Sequence, residues 1–399
     1  MRFFISLFLS LAVLLPSCTP RLTPLSQRRG DGSRSGTDGT DTPGNPGFIT
    51  SGDEDGDPEG VSPAVFVCGV EHPDTDSAKI VVLRESLLML ALTPDIQSGI
   101  GLDPDTHFLF SDSLYTTTSY ADHTIVALGG KPLFSYEGRE YIVGLIPSRR
   151  GLWTLGNNRS GEGFAMRLNG EAVFKSGSGK ARDLHMDGDN AYCIYASSVG
   201  AESLVTLVQE GTSHGMTPRY GLSVIDARVS GGELWMLEKG EDGWIVSTSE
   251  ERFDYAFVPP FQFRMGRLYT GPDGRCTAVI STVAPGYGMP VEIICSEGES
   301  FITGGGGGSI YHYFEGSIPY RLCYDKQCTH LSISTGMKEL AALDSVVVSN
   351  RSAAAALGDH MVVACYPAAG GEAFLWHNGN INGLGFEGYP TGVSINPPK

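Results

Sequence analysis

The chain has 399 residues, 53 of them glycine and 23 proline, and carries a formal net charge of −17 at pH 7. Interior glycine and proline cost a helix roughly 1 and 3 kcal/mol each, so the composition argues against a helical bundle. The acidic balance argues against nucleic acid and against direct adhesion to anionic lipid, and is compatible with a cationic or neutral glycan.

The first residues, MRFFISLFLSLAVLLPSC, hold one arginine, an apolar run over residues 3–15 and a small residue before Cys18. Such a run is a secretory signal, too short for a spanning helix. The ending Leu15-Pro16-Ser17-Cys18 resembles the lipobox of bacterial lipoproteins, with Pro16 as a departure from the pattern. The resemblance implies cleavage before Cys18 and acylation of that cysteine; several acyl chains make a stable anchor. The start is also similar to lipoproteins of Bacteroidetes. Thr19 stands where an aspartate is associated with inner-membrane retention, so the resemblance implies an outer-membrane location, periplasmic or surface side open.

Residues 18–60 form a tether. Pro20, Pro24, Pro43, Pro46 and Pro58 with many glycines and few large apolar residues leave nothing to build a core. At random-coil scaling its reach is on the order of 35 Å. The run Asp53-Glu54-Asp55-Gly56-Asp57 lacks the bidentate glutamate of a calcium loop and reads as solvated linker.

From residue 61 onward, eight apolar runs open at near-constant spacing, anchored at Phe66, Phe108, Trp153, Tyr192, Trp235, Thr277, Arg321 and Val362. Residues 124–156 and 163–198 show the unit best: strand, tight turn (Gly129-Gly130, Asn169-Gly170), second strand, polar loop, third strand, turn and fourth strand. Asn-Gly between apolar runs signals a type I′ hairpin, and Asn378-Gly379 repeats it in the last unit. The 79–92 stretch reads as two strands. A strand period of about 40–45 residues marks a β-propeller, and the repeat resembles propellers in general. The expectation is an all-β propeller over 61–399 of four-stranded antiparallel blades, eight in number, or seven if residues 102–119 are an insertion. A β-sandwich array competes less well, because its strand groups would run to about 100 residues. Residues 391–395 at the end and 65–68 at the start are expected to pair and close the ring, removing two sheet edges.

Seven cysteines follow Cys18. Cys68, Cys193, Cys276 and Cys365 fall at equivalent apolar positions and read as core. Cys323 and Cys328 in RLCYDKQCTHL could face each other across a hairpin as a disulfide; a metal pair with His330 has no second ligand pair to complete it. Residues 211–215 match G-x-S-x-G, but in a turn between β segments rather than a strand-to-helix elbow. The run 185–190 reads as a turn, and the five glycines 304–308 as a loop lacking the lysine of a P-loop.

Trp153, Trp235, Trp244 and Trp376 lie on strands, with packing as their default role. Tyr115, Tyr120, Tyr220, Tyr287 and Tyr311 sit in or beside loops, where a rigid scaffold presents contact residues, and are candidate binding aromatics. The repeat departs from WD40, kelch, quinoprotein dehydrogenase and sialidase patterns, so no subfamily, catalytic set, metal or cofactor is assigned. The expectation is a monomeric envelope lipoprotein, non-enzymatic, membrane-bound only through its anchor, binding protein or glycan and no nucleic acid. The alternative is a propeller hydrolase or lyase acting on polysaccharide.

Overall fold

The computed structural model describes residues 63–396 except 96–99, 160, 200–201, 257–261, 272, 284–289, 304–309, 314–319, 325–329 and 336–337. The signal segment, Cys18 and nearly all the tether therefore lie outside the described residues. Among those described there is no α-helix, and so none long and apolar enough to cross a membrane.

Among the described residues the strands form six four-stranded antiparallel sheets and one of eight strands, which the long last strand divides into two blades, eight blades in all. Blade 3 shows the plan: Glu140–Ser148, Gly151–Asn158, Phe164–Leu168 and Glu171–Ser176 pair in sequence order from the axis outward. The second and third strands are nearly all buried, while the outermost is mostly exposed. Neighbouring blades sandwich the middle strands, which is why those read as continuous apolar runs. The 124–156 sequence unit spans the outer half of blade 2 and the inner half of blade 3. Residues 102–119 are part of blade 2, whose first strands are His107–Phe110 and Ser113–Ser119, and are not an insertion.

The turns carry the expected chemistry. Asn169 and Gly170 have φ of 52° and 86°, Asn378 and Gly379 45° and 94°. Both asparagine side chains also cap their turns: Oδ1 of Asn169 accepts the Leu152 amide and Oδ1 of Asn378 the Met361 amide, each at 2.9 Å.

Ring closure is as anticipated, with the C-terminal strand as donor. The long strand Asn380–Asn396 pairs first with Glu372–His377 of blade 8 and then, over its second half, with Ala64–Glu71. It thereby supplies the innermost strand of blade 1, with Val67 opposite Val393 and Cys68 opposite Gly392. The change of blade occurs around Gly388, at φ 149°, where a Cβ would collide with the Val70 carbonyl oxygen. Thr391, fully buried, fastens the joint: its hydroxyl meets Cys68 Sγ at 3.1 Å and His107 Nδ1 at 2.9 Å.

The repeated cysteines are core residues. Cys68, Cys193, Cys276 and Cys365 all lie on the second strand of their blades and are buried. Burial pushes the Cys68 and Cys276 thiols up to about 12. Trp153, Trp235, Trp244 and Trp376 are buried within the blades.

Candidate functional site: a charged pocket on the axis

Inner strands of a propeller face the central axis, and those of blades 3, 4, 5 and 6 carry a β-bulge at the same place. The register shifts between Ile142 and Gly144, Ala181 and Asp183, Val224 and Asp226, and Phe263 and Met265. A bulge inserts one residue and re-aims the side chains around it. In blade 4 the inserted residue is Arg182, followed by Asp183; in blade 5 the residue after the bulge is Asp226.

These residues meet in a pocket of about 200 Å³ lined by Arg182, Asp183, Asp226, Arg228, Arg267, Leu268, Tyr269 and Arg351. They come from the inner strands Lys180–Asp187, Ser223–Ser230 and Gln262–Thr270 of blades 4, 5 and 6, and from the 3-10 turn Arg351–Ala353 leading into blade 8. Blades 5 and 8 are not neighbours around the ring, so a pocket shared by both lies on the axis.

Four guanidiniums face two carboxylates. Arg228 spends its charge on Asp183, 2.7 Å away, and its Nε donates to Thr270 Oγ1 at 2.7 Å. Arg182 donates to the Ile225 carbonyl at 3.2 Å. Burial lowers the Arg182 value, with Arg267 adding like-charge repulsion. Arg351 lies over the Tyr269 ring, 5.6 Å from its centroid. Asp226 is 3 % exposed; Oδ2 accepts the Leu268 amide at 2.9 Å, and Oδ1 is buried without a hydrogen-bond partner. Burial raises the Asp226 carboxyl, opposed by Arg267 and the Leu268 amide. Beside the pocket, burial and then Arg228 lower His185 to about 4, so it is neutral at pH 7; its Nε2 accepts the Val229 amide at 3.3 Å. The pocket therefore holds an excess of at least two positive charges inside a chain of net charge −17. Such an arrangement selects a small anionic group: guanidinium forks match carboxylate, sulfate and phosphate oxygens.

None of these residues stands out in the linear sequence, where they lie 39 to 45 or more positions apart in separate units. One signal was available. Charged residues interrupt the inner strands near the unit spacing: Asp183 and Arg228 are 45 apart, and Asp226 is followed one unit later by Arg267.

The candidate aromatics go elsewhere, and none of the described ones lines the axial pocket. Tyr115 is half-buried on Ser113–Ser119, edge-on to Phe110 at 6.0 Å. Tyr120 stacks on His123 at 4.4 Å in the following turn. Tyr220 is 45 % exposed and stays a surface aromatic. Tyr287 and Cys328 lie outside the described residues; Tyr311 is on the strand Ile310–Tyr313. Cys323 is buried on Tyr320–Tyr324. Thr212–Gly215 of the G-x-S-x-G match is an exposed outermost strand rather than a turn, and no helix follows it. Asp187 has a structural task, accepting the amides of Gly231 and Gly232 in the next blade at 2.9 and 2.8 Å. No group of three or more metal-ligating side chains gathers among the described residues.

No protein-family model matches the sequence, and no curated protein matches it. Among solved structures, apo AztD from Citrobacter koseri superposes on 84 % of this chain and 99 % of its own, at a TM-score of 0.50 and 8 % identity. The likeness is one of fold. The polysaccharide lyase Uly1 covers 84 % of this chain and 98 % of its own, at a TM-score of 0.39 and 10 % identity.

Proposed function

We propose that this protein is an exported lipoprotein, held to the cell envelope through acylated Cys18, whose propeller is a binding module that captures an anionic group of a glycan or protein partner in its axial pocket. One observation carries the binding reading: Arg182, Arg228, Arg267 and Arg351 line a single small pocket against two carboxylates. The whole-chain charge favours a neutral or cationic partner, but the axis concentrates the cations, and short-range charge at a partly buried site outweighs distant surface charge screened over about 10 Å. The lipobox-like ending at Cys18 and the tether of residues 19–60 support the anchor, which would hold the ring clear of the lipid head groups. If Cys18→Ala leaves the chain in the membrane fraction, the anchor is wrong.

The alternative, a polysaccharide hydrolase or lyase, is favoured by a specific feature of the same pocket. Asp183 and Asp226 both line it, one paired with arginine and one buried and raised, and carboxyls in unlike environments are the raw material of acid–base catalysis. Incubation with an acidic polysaccharide separates the two readings. The binding module retains the polymer and releases no new reducing ends; product formation that Asp226→Asn abolishes would make the protein an enzyme.

A further inference from the structure

A second groove lies on blade 5, away from the axis, where the loop before its inner strand meets the outer strands Gly243–Ser247 and Arg252–Ala256. Its volume is about 510 Å³, within the range of small-ligand sites. Trp244 and Tyr255 form its floor and are buried, whereas Tyr220 and Leu222 at its rim are 45 % and 64 % exposed.

The rim is built to hold still. Glu238, completely buried, accepts three successive amides of the loop: Arg219 at 2.8 Å, Tyr220 at 2.9 Å and Gly221 at 2.6 Å. A carboxylate collecting three backbone donors is a rigid anchor. Position 221 has no room for more than glycine, since a Cβ would meet the Lys239 carbonyl at 2.6 Å and Glu238 Cβ at 2.8 Å. Tyr220 is therefore presented with little conformational entropy left to lose on contact. Arg252 lies against the Tyr220 ring, 4.8 Å from its centroid. Asp254 fixes that guanidinium with hydrogen bonds of 2.7, 2.9 and 3.1 Å.

We propose that this groove is a second ligand site and that it takes a neutral sugar ring. A pyranose offers an apolar C–H face, which suits Tyr220 and Leu222, and a hydroxylated edge, which suits the Arg252–Asp254 pair as joint donor and acceptor. Charge argues against an anion: Glu241, Asp242 and Asp254 surround one arginine, whose charge Asp254 already meets. The site is thus the electrostatic opposite of the axial pocket and independent of it.

The test is titration of the full chain with the neutral disaccharides maltose, cellobiose and chitobiose, read by saturation-transfer NMR. The site predicts millimolar binding of at least one. Tyr220→Ala should weaken that binding about tenfold, Arg252→Gln should weaken it in the same direction, and Arg182→Gln on the axis should leave it unchanged. Both groove variants alter exposed side chains, so retained melting temperatures separate lost contacts from lost fold. No binding of any of the three at about 10 mM, or equal binding by Tyr220→Ala, overturns the proposal. So does binding that follows Arg182 instead of Tyr220.

Discussion

Asp226 accepts the amide of Leu268 at 2.9 Å across the boundary between blades 5 and 6, and its other carboxylate oxygen is buried with no partner. A buried acceptor left open beside Arg182 and Arg267 is costly for stability alone. It makes sense as part of a pocket whose remaining partner arrives with a ligand.

That carboxyl gives a pH signature. Burial raises its folded value above the ordinary 3.8, so the stability it contributes is fully present below 3.8 and lost as pH rises through the folded value. Asparagine keeps the acceptor for Leu268 but cannot ionise. Asp226→Asn should therefore melt like the wild type in acid and increasingly above it toward neutral pH. Anion affinity should follow the same course, falling with pH in the wild type and staying flat in the variant. Melting curves and titrations across that window check both; a constant difference between the two proteins would refute the assignment.

A buried ion pair inside blade 3 leans on an aromatic ring of blade 2. Arg167 forks onto Glu140 at 2.6 and 2.7 Å, with its guanidinium 3.8 Å from the Tyr136 ring centroid. Both side chains are at most one-tenth exposed. Removing one member strands a buried charge, at about 3–5 kcal/mol. Arg167→Ala should lose that much in urea unfolding, and the double variant Arg167→Met/Glu140→Leu should regain most of it. If the double variant is as weak as the single, the loss comes from packing instead.

Ring closure predicts a link between one glycine and one thiol. Gly388→Ala forces a side chain into the Val70 carbonyl at positive φ, a strain of about 1–3 kcal/mol. It should loosen the pairing of residues 388–396 with the first strand, exposing Cys68. Cys68, Cys193, Cys276 and Cys365 should resist alkylation in the native wild type. Peptide mapping of Gly388→Ala should find Cys68 labelled first, because Thr391 no longer covers it. Uniform labelling of all four would mean global unfolding rather than an opened joint.

The architecture was readable because each of its rules is local or periodic. Asn169-Gly170 and Asn378-Gly379 specify their turns by the φ they tolerate, the 40-odd-residue beat counts the blades, and Cys68 and Cys365 recur where two neighbouring blades cover a strand. The end strands could be paired because one lacked a successor and the other a predecessor. The axial site follows a different logic. Arg182, Asp226 and Arg267 sit on three successive blades and Arg351 at the entry to blade 8, and only the folded ring brings all four within reach of one ligand. The bulges that aim Arg182 and Asp226 also leave no mark in composition. Tyr220 could be picked out as a loop aromatic, but Glu238, which makes that loop rigid, reads in sequence as an ordinary charged residue at the end of a strand.

The anion pocket on the axis stands or falls with calorimetric titration of the full chain with glucuronate. The wild type should bind with an affinity that falls as salt is added, and Arg182→Gln/Arg267→Gln should lose at least about tenfold while keeping its melting temperature and its neutral-sugar binding. Equal glucuronate binding by wild type and double variant, or none by either, would contradict it.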